Sequence, residues 1–207
     1  MFVDLLYAFY QLSFLGFVVA LVKHHRCTWG FLMLSCLIKI SNMQDLHNIN
    51  LSYLHYYIAE FMIIIISMLG YISYNTDYRK NLPQKLSIFK KIRLFMLSVS
   101  LALVIYYVLI YIITKVTFSM SPIFFGLHFL EYLFTVFALL LAIYKSPFAL
   151  VSLAVAFITS MFIQAGLLFA IPNYLAVFSL NVIYSLTLTI IVLVAYKRNK
   201  NLTFQIR

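Results

Sequence analysis

Two glutamates inside long apolar stretches are the residues of this sequence best placed to do chemistry. Glu60 follows Tyr57 by one helical turn, and Glu131 follows His128 at the same spacing. Residues three apart share a helical face, so each carboxylate has a neighbour able to orient it or to line a cavity beside it. Charged groups inside apolar helices are costly and mark functional sites by default, so we predict that both carboxylates face the interior of the bundle and not lipid. The alternative for each is a structural Glu that is protonated or hydrogen-bonded to another helix.

Three uncharged polar residues lie at depth in other apolar stretches, namely Gln11, Gln164 and Asn181. Hydrogen bonds between helices would explain them, and the same groups would also suit a polar ligand. The predicted binding residues are therefore, in chain order, Gln11, Tyr57, Glu60, His128, Glu131, Gln164 and Asn181.

Catalytic and metal-binding signatures are missing from the sequence. No Gly-x-Ser-x-Gly or His-Glu-x-x-His motif occurs, which removes the commonest hydrolases. His128 and Glu131 have the spacing of a metal-ligand pair, but one such pair is weak without further His. We predict no catalytic residue, no metal, no cofactor and no enzyme activity. A membrane-embedded enzyme that uses the two glutamates is left as an alternative.

The elements that position these residues are apolar stretches close to the ~20 residues that a helix needs to cross a bilayer. The predicted spans are 2–22, 28–42, 52–74, 94–114, 122–143, 147–169 and 173–196. Lys39 erodes the outer end of the short second span, which is either tilted or has Lys39 snorkelling to the headgroups. Trp29 is predicted to anchor the start of the same span at the membrane interface.

Basic residues sit in every second gap between the spans. Lys23 and Arg26 follow span one, a cluster from Arg79 to Arg93 follows span three, Lys145 follows span five, and residues 197–207 carry the last group. Because cytoplasmic loops collect Lys and Arg, we predict an outside N-terminus and a cytoplasmic C-terminus. The protein is expected to be a multi-pass protein of the cell (inner or plasma) membrane.

The composition favours lipid as the surrounding medium. The chain is 65% hydrophobic and 10% charged, which is more apolar surface than a soluble domain of 207 residues can bury. Helices satisfy their own backbone in lipid. The net charge of +10 does not indicate a nucleic-acid partner, because nearly all basic residues border spans. Cys27 and Cys36 show no partner pattern and indicate neither a disulfide nor a metal site.

Matching residues near the ends of the spans recur at a fixed offset and indicate a duplicated three-helix unit. Lys23 and Lys145, and likewise Tyr74 and Tyr196, are separated by the same offset of 122 residues. The expected fold is an all-α polytopic membrane protein, with seven transmembrane helices as two parallel three-helix bundles joined by a linker helix (3+1+3). The predicted divisions are a first unit at 1–80, a loop and linker helix at 81–118, and a second unit at 119–207.

The first half of the chain contains Leu15-Gly16 in the first helix, a basic junction from Lys23 to Trp29, and a third-helix ending from Gly70 to Tyr74. In these features it resembles the PnuC-type vitamin transporters. In this family a basic residue followed by Trp precedes the second helix, and the third helix ends in Gly-aromatic. Tyr71 and Tyr74 stand where the Trp residues that stack on the family's substrate would be expected.

The second half matches the same family in layout through Ser121-Pro122, Lys145 and Asn173-Tyr174. The resemblance implies seven helices arranged as in the sugar-transporting SWEET proteins. It also implies energy-independent import of a vitamin precursor such as nicotinamide riboside or thiamine. Both compounds carry a positive charge on an aromatic ring. Glu60 and Glu131 would neutralise this charge, and tyrosine faces would attract it.

We therefore expect a transporter or facilitator for a small cationic aromatic vitamin precursor, bound in a central cavity between the two three-helix units. The expected partners are the lipid bilayer and the small-molecule substrate. The sequence leaves open whether the chain is a homo-oligomer or has a partner membrane subunit. The alternative function is a non-transporting membrane protein, either a sensor, an immunity or defence factor, or a subunit of a membrane complex.

Overall fold

The computed structural model is all-helical in the residues that it describes, which are 2–23, 25, 27–44, 54–76, 86–115, 122–170 and 175–205. These residues form seven helices. The helices are α1 (Phe2–Val22), α2 (Thr28–Gln44), α3 (Leu54–Thr76), α4 (Ile88–Lys115), α5 (Pro122–Ile143), α6 (Phe148–Ala170) and α7 (Leu175–Gln205).

The helix boundaries follow the apolar spans closely, with two exceptions. Helix α5 occupies the predicted 122–143, and α1 the predicted 2–22. Helix α4 begins at Ile88, six residues before the predicted span, and α7 continues to Gln205, nine residues past it. Hydropathy detects only the apolar part of a helix. The basic extensions of α4 and α7 contain no Gly or Pro, so nothing in their sequence stops the helix there.

Five of these helices are long and apolar enough, within the described residues, to cross a membrane: α1, α3, α5, α6 and α7. Helix α2 contributes a shorter apolar stretch, Thr28–Ser41. Such helices indicate a membrane-embedded protein. The count of seven spans, the orientation of the termini and the 3+1+3 arrangement stay predictions.

The chain divides into two compact units. The first contains α1, α2, α3, the part of α4 from Leu103 and the turn Ala142–Lys145. The second contains α4 up to Ala102, α5 up to Leu141, α6 and α7. In the first unit α2 packs against both α1 and α3, and in the second α6 packs against α7. Each unit therefore has its own set of helix contacts in which polar side chains can meet.

Trp29 is a core residue of the first unit, so the prediction of an outward-facing interfacial anchor is wrong. Its side chain is 0% exposed. The indole lies directly over Gly70 of α3, where an added Cβ would overlap the ring. Tyr74, one turn further along α3, meets the indole edge-on at 5.8 Å between ring centroids. Because Gly70 has no side chain, α3 can approach α2 closely enough to enclose the ring.

The end of α5 is closed by a Schellman motif that has a lysine in place of the usual glycine. The amide of Lys145 donates to the carbonyl of Ala142 at 2.8 Å, and the amide of Ser146 donates to that of Leu141 at 3.1 Å. Lys145 has a φ of 52°, in the left-handed region. Its ammonium lies 4.7 Å from the Tyr74 ring centroid. Lys145 is buried, whereas Lys23, its counterpart by the repeat offset, is exposed.

Several residues that support the sequence argument lie outside the described residues. They include Arg26, Arg79 and Lys80 of two predicted inner loops, and Ser121, Asn173 and Tyr174 of the family resemblance.

Candidate functional site

Three consecutive helices, α1, α2 and α3, bring one polar cluster together in the first unit. Lys39 lies five residues before the end of α2 at Gln44, and Glu60 lies six residues after the start of α3 at Leu54. With a rise of about 1.5 Å per residue, both lie roughly 7–9 Å from the connection between the helices. Two side chains at the same level on packed helices can meet. The Lys39 ammonium is 2.5 Å from the Glu60 carboxylate oxygen Oε1.

The two partners of this ion pair differ in their access to solvent. The Glu60 side chain is 4% exposed and the Lys39 side chain 33%. Burial of Glu60 confirms the expectation that this carboxylate faces the interior of the bundle. The Lys39 ammonium donates a charge-assisted hydrogen bond to this carboxylate. Snorkelling of Lys39 to the headgroups stays a prediction.

Tyr10 of α1 supplies an aromatic face to the same cluster. The Lys39 ammonium lies 5.9 Å from the centroid of the Tyr10 ring, within the range of a cation–π contact. Tyr10 belongs to a series of neighbouring rings along α1 that also includes Tyr7, Phe14 and Phe17. We call Tyr10, Lys39 and Glu60 the first cluster. Its ammonium is held by one carboxylate and one ring.

The remaining predicted binding residues of the first unit lie near this cluster in sequence. Tyr57 is one turn before Glu60 on α3, and Gln11 directly follows Tyr10 on α1. Both side chains are half-buried. Glu60 was predicted to neutralise a cationic ligand, but the structure shows that Lys39 already neutralises it. Lys39 is the partner of Glu60 that the sequence interpretation missed.

A second polar cluster lies on one face of α5. The Nδ1 atom of His128 is 3.5 Å from the Glu131 carboxylate oxygen Oε2, and their side chains are 18% and 29% exposed. The Phe124 ring lies 6.3 Å from the His128 ring. Residues 124, 128 and 131 recur at helical spacing, so ring, imidazole and carboxylate form one stripe. We call Phe124, His128 and Glu131 the second cluster.

The second cluster is less enclosed than the first and has no lysine paired with its carboxylate in the described residues. An imidazole carries a positive charge only in its protonated form. A neutral His128 can hydrogen-bond Glu131 without cancelling its charge. Glu131 therefore has a polar neighbour, as expected, and keeps its capacity to balance a positive charge.

An amide pair joins α6 to α7 in the same unit. Asn181 donates through Nδ2 to the Gln164 carbonyl oxygen Oε1 at 3.3 Å. Gln164 lies six residues before the end of α6 at Ala170, and Asn181 six residues after the start of α7 at Leu175. The pair occupies the same kind of position between α6 and α7 that Lys39 and Glu60 occupy between α2 and α3. Hydrogen bonding between helices accounts for both amides.

The structure brings together two pairs of the predicted residues, His128 with Glu131 and Gln164 with Asn181. Gln11, Tyr57 and Glu60 belong to the first unit; His128, Glu131, Gln164 and Asn181 belong to the second. A central cavity lined by some of these seven residues stays a prediction. Among the described residues no group of three or more His, Cys, Asp or Glu side chains could hold a metal ion.

The fold and these clusters define a class, an all-helical membrane-embedded protein with polar side chains placed inside its bundles. No protein-family model, curated protein or solved structure matches the chain. The resemblance to PnuC-type transporters therefore stays a hypothesis that rests on the sequence layout.

Proposed function

We propose that this protein is a membrane transporter for a small, positively charged aromatic solute of the vitamin-precursor type, such as nicotinamide riboside or thiamine. The second cluster carries the proposal. A carboxylate in an apolar helix costs roughly 2.5–3.5 kcal/mol on the mildest scale. Glu131 stands 29% exposed with only an imidazole paired to it in the described residues.

The neighbours of Glu131 offer a charged aromatic solute two further interactions, a ring face for stacking and amide groups for hydrogen bonds. Phe124 lies on the same stripe of α5 and offers a ring face for stacking or cation–π attraction. The Phe124 ring packs beside Gly166 of α6, and Gln164 lies half a turn from that glycine. The amides of Gln164 and Asn181 can hydrogen-bond ribose hydroxyls or pyrimidine edges.

The proposed setting is the cell membrane, with the N-terminus outside and the C-terminus in the cytoplasm. Facilitated diffusion in that setting needs no phosphate-binding loop, and the sequence contains none. The two-unit construction also fits a transporter, because repeat-built carriers place their substrate between packed helices.

Uptake of labelled nicotinamide riboside and thiamine into proteoliposomes tests the proposal. We expect Glu131→Gln to reduce uptake of the bound solute at least about tenfold, because it removes the counter-charge while keeping shape and one hydrogen-bonding oxygen. Glu131→Asp keeps the charge and should retain more activity than Glu131→Gln. Thr187→Ala, an exposed polar change on α7, is the control for general damage.

Two outcomes would contradict the proposal. Unchanged binding and uptake in a folded Glu131→Gln protein would show that the solute does not use this carboxylate. A thermal-shift screen of vitamins and nucleosides without any stabilising ligand, together with stoichiometric copurification of another membrane chain, would favour the subunit interpretation.

A further inference from the structure

The first cluster already holds a cation, and the chain itself supplies it. We propose that Glu60 and Tyr10 form a cation-binding site that the Lys39 ammonium fills in the empty protein, and that a primary alkylammonium solute takes over when Lys39 swings out. This site is separate from the second cluster. Its use in uptake would rest on the proposed function, but its binding of an amine does not.

The contacts of Lys39 define the ligand chemistry. The ammonium donates a charge-assisted hydrogen bond to Glu60 Oε1 at 2.5 Å, and it faces the Tyr10 ring at 5.9 Å. A carboxylate combined with an aromatic face is the arrangement that proteins use for organic ammonium groups. Because one contact is an N–H donated to oxygen, the site should favour a primary ammonium over a quaternary one, which has no N–H.

The unequal burial of the partners indicates which one can move. Glu60 is 4% exposed, so its carboxylate has little access to water and stays in place. Lys39 is 33% exposed and carries its charge on a flexible four-carbon stem. Its position near the end of α2 shortens the path out. Moving Lys39 outward is therefore less costly than moving Glu60.

Replacing Lys39 by a solute ammonium conserves the electrostatics of the cluster. One positive charge leaves the carboxylate as another arrives, so Glu60 is never left buried and unpaired, the state that makes a broken ion pair so unfavourable. An anionic or neutral solute would have to leave that charge uncompensated. The site therefore favours ammonium groups, because the buried Glu60 carboxylate needs a positive counter-charge.

Chemical rescue tests the proposal directly. Lys39→Ala deletes the atoms from Cγ to Nζ, which n-propylammonium replaces in number and charge. We expect propylammonium at about a hundredfold excess over its Kd to raise the Tm of detergent-purified Lys39→Ala by about 5–11 °C. 1-Propanol, which has the same chain without the charge, should give little shift. Tetramethylammonium should be less effective than propylammonium.

The double variant Lys39→Ala/Glu60→Gln is the matched control, because it keeps the space and removes the counter-charge. It should show no specific response to propylammonium. Equal shifts in the single and double variants, or no shift in the single variant, would overturn the proposal.

Lys39→Gln serves if Lys39→Ala does not fold, since its amide can still donate to Glu60. Propylammonium should displace that amide and stabilise Lys39→Gln over Lys39→Gln/Glu60→Gln. If neither single variant yields folded protein even when extracted in propylammonium, the amine does not occupy the site and the proposal is wrong. Uptake by Glu131 variants is measured separately, so failure of this site and failure of the proposed function are distinguishable.

Discussion

At the scale of single residues, the unequal access of Lys39 and Glu60 to water decides how the ion pair contributes to stability. A pair with one partner removed is destabilising chiefly because it leaves the other charge buried. Lys39 can reach solvent from its position, whereas Glu60 cannot. Loss of either partner should therefore have different consequences, although both changes delete the same contact.

We predict that Lys39→Met destabilises the folded protein by about 3 kcal/mol, the lower end expected for a broken buried pair because Lys39 is partly exposed. Glu60→Gln should cost less, about 1 kcal/mol, because Lys39 can turn to water. The double variant should recover most of the loss. Denaturant or thermal unfolding in detergent measures all three, and Lys23→Met, an exposed lysine of the same unit, is the control.

Equal losses for the two single variants would contradict the asymmetry expected from their exposure. Strictly additive losses in the double variant would show that the pair is not coupled in the folded protein.

The sequence predicted the orientation of Glu60 but did not predict that Lys39 is its ion-pair partner. The cost of a charge in an apolar span predicted that Glu60 turns inward, and the structure confirms it. Spacing along one helix cannot show which side chain lies opposite on the next. In the observed helices Lys39 and Glu60 lie five and six residues from the connection, whereas the predicted bounds at 42 and 52 put them three and eight residues from it and did not indicate the pair.

At the scale of elements, the packing of α2 on α3 depends on a glycine. Gly70 lies against the Trp29 indole so closely that a Cβ would overlap ring atoms. Gly30, by contrast, has open space around the position of a Cβ. The same substitution should thus have opposite effects at two places in one unit.

We predict that Gly70→Ala destabilises the protein by about 1–3 kcal/mol, the usual cost of inserting a methyl group into a filled core. Gly30→Ala should be neutral or stabilising by up to about 1 kcal/mol, because alanine favours helix. Thermal unfolding in detergent compares the two. A Gly70→Ala protein as stable as Gly30→Ala would mean that α3 does not approach the indole as described.

Helix bounds could be predicted well where a characteristic residue stands at each end of the apolar stretch. Helix α5 starts at Pro122 and closes before Lys145, and its predicted bounds match the structure. Helix α4 was predicted too short because its first turns carry Lys90, Lys91 and Arg93. A prediction based on apolar stretches misses helical turns that consist of polar residues. The Schellman turn at Lys145 could not be predicted, because lysine rarely adopts positive φ.

At the scale of the whole molecule, the orientation in the membrane follows from the alternation of basic residues and stays a prediction. Lys145 and Lys23 mark inner gaps in that scheme, and the burial of Lys145 does not alter its side of the membrane. The arrangement of the helices as three, one and three depends on contacts that no sequence period specifies.

We predict that a membrane-impermeant thiol reagent applied from outside labels Asn48→Cys and misses Ser87→Cys. Ser87 is exposed and therefore accessible to a reagent on its own side of the membrane, whereas the neighbouring Leu86 is buried. Native Cys27 is also exposed and should react only after permeabilisation. It is replaced by Ser for the two test positions. The reverse labelling pattern would invert the assigned topology.

The burial of Trp29 also makes its intrinsic fluorescence a probe of how the first unit unfolds. It is the one tryptophan of the chain, and it sits wholly inside the first unit beside Tyr74. Selectively excited indole emission therefore records the state of that unit, while circular dichroism averages over every helix. If the two units melt at different temperatures, the two signals will separate, and their difference will give the stability of the second unit without any label or truncation.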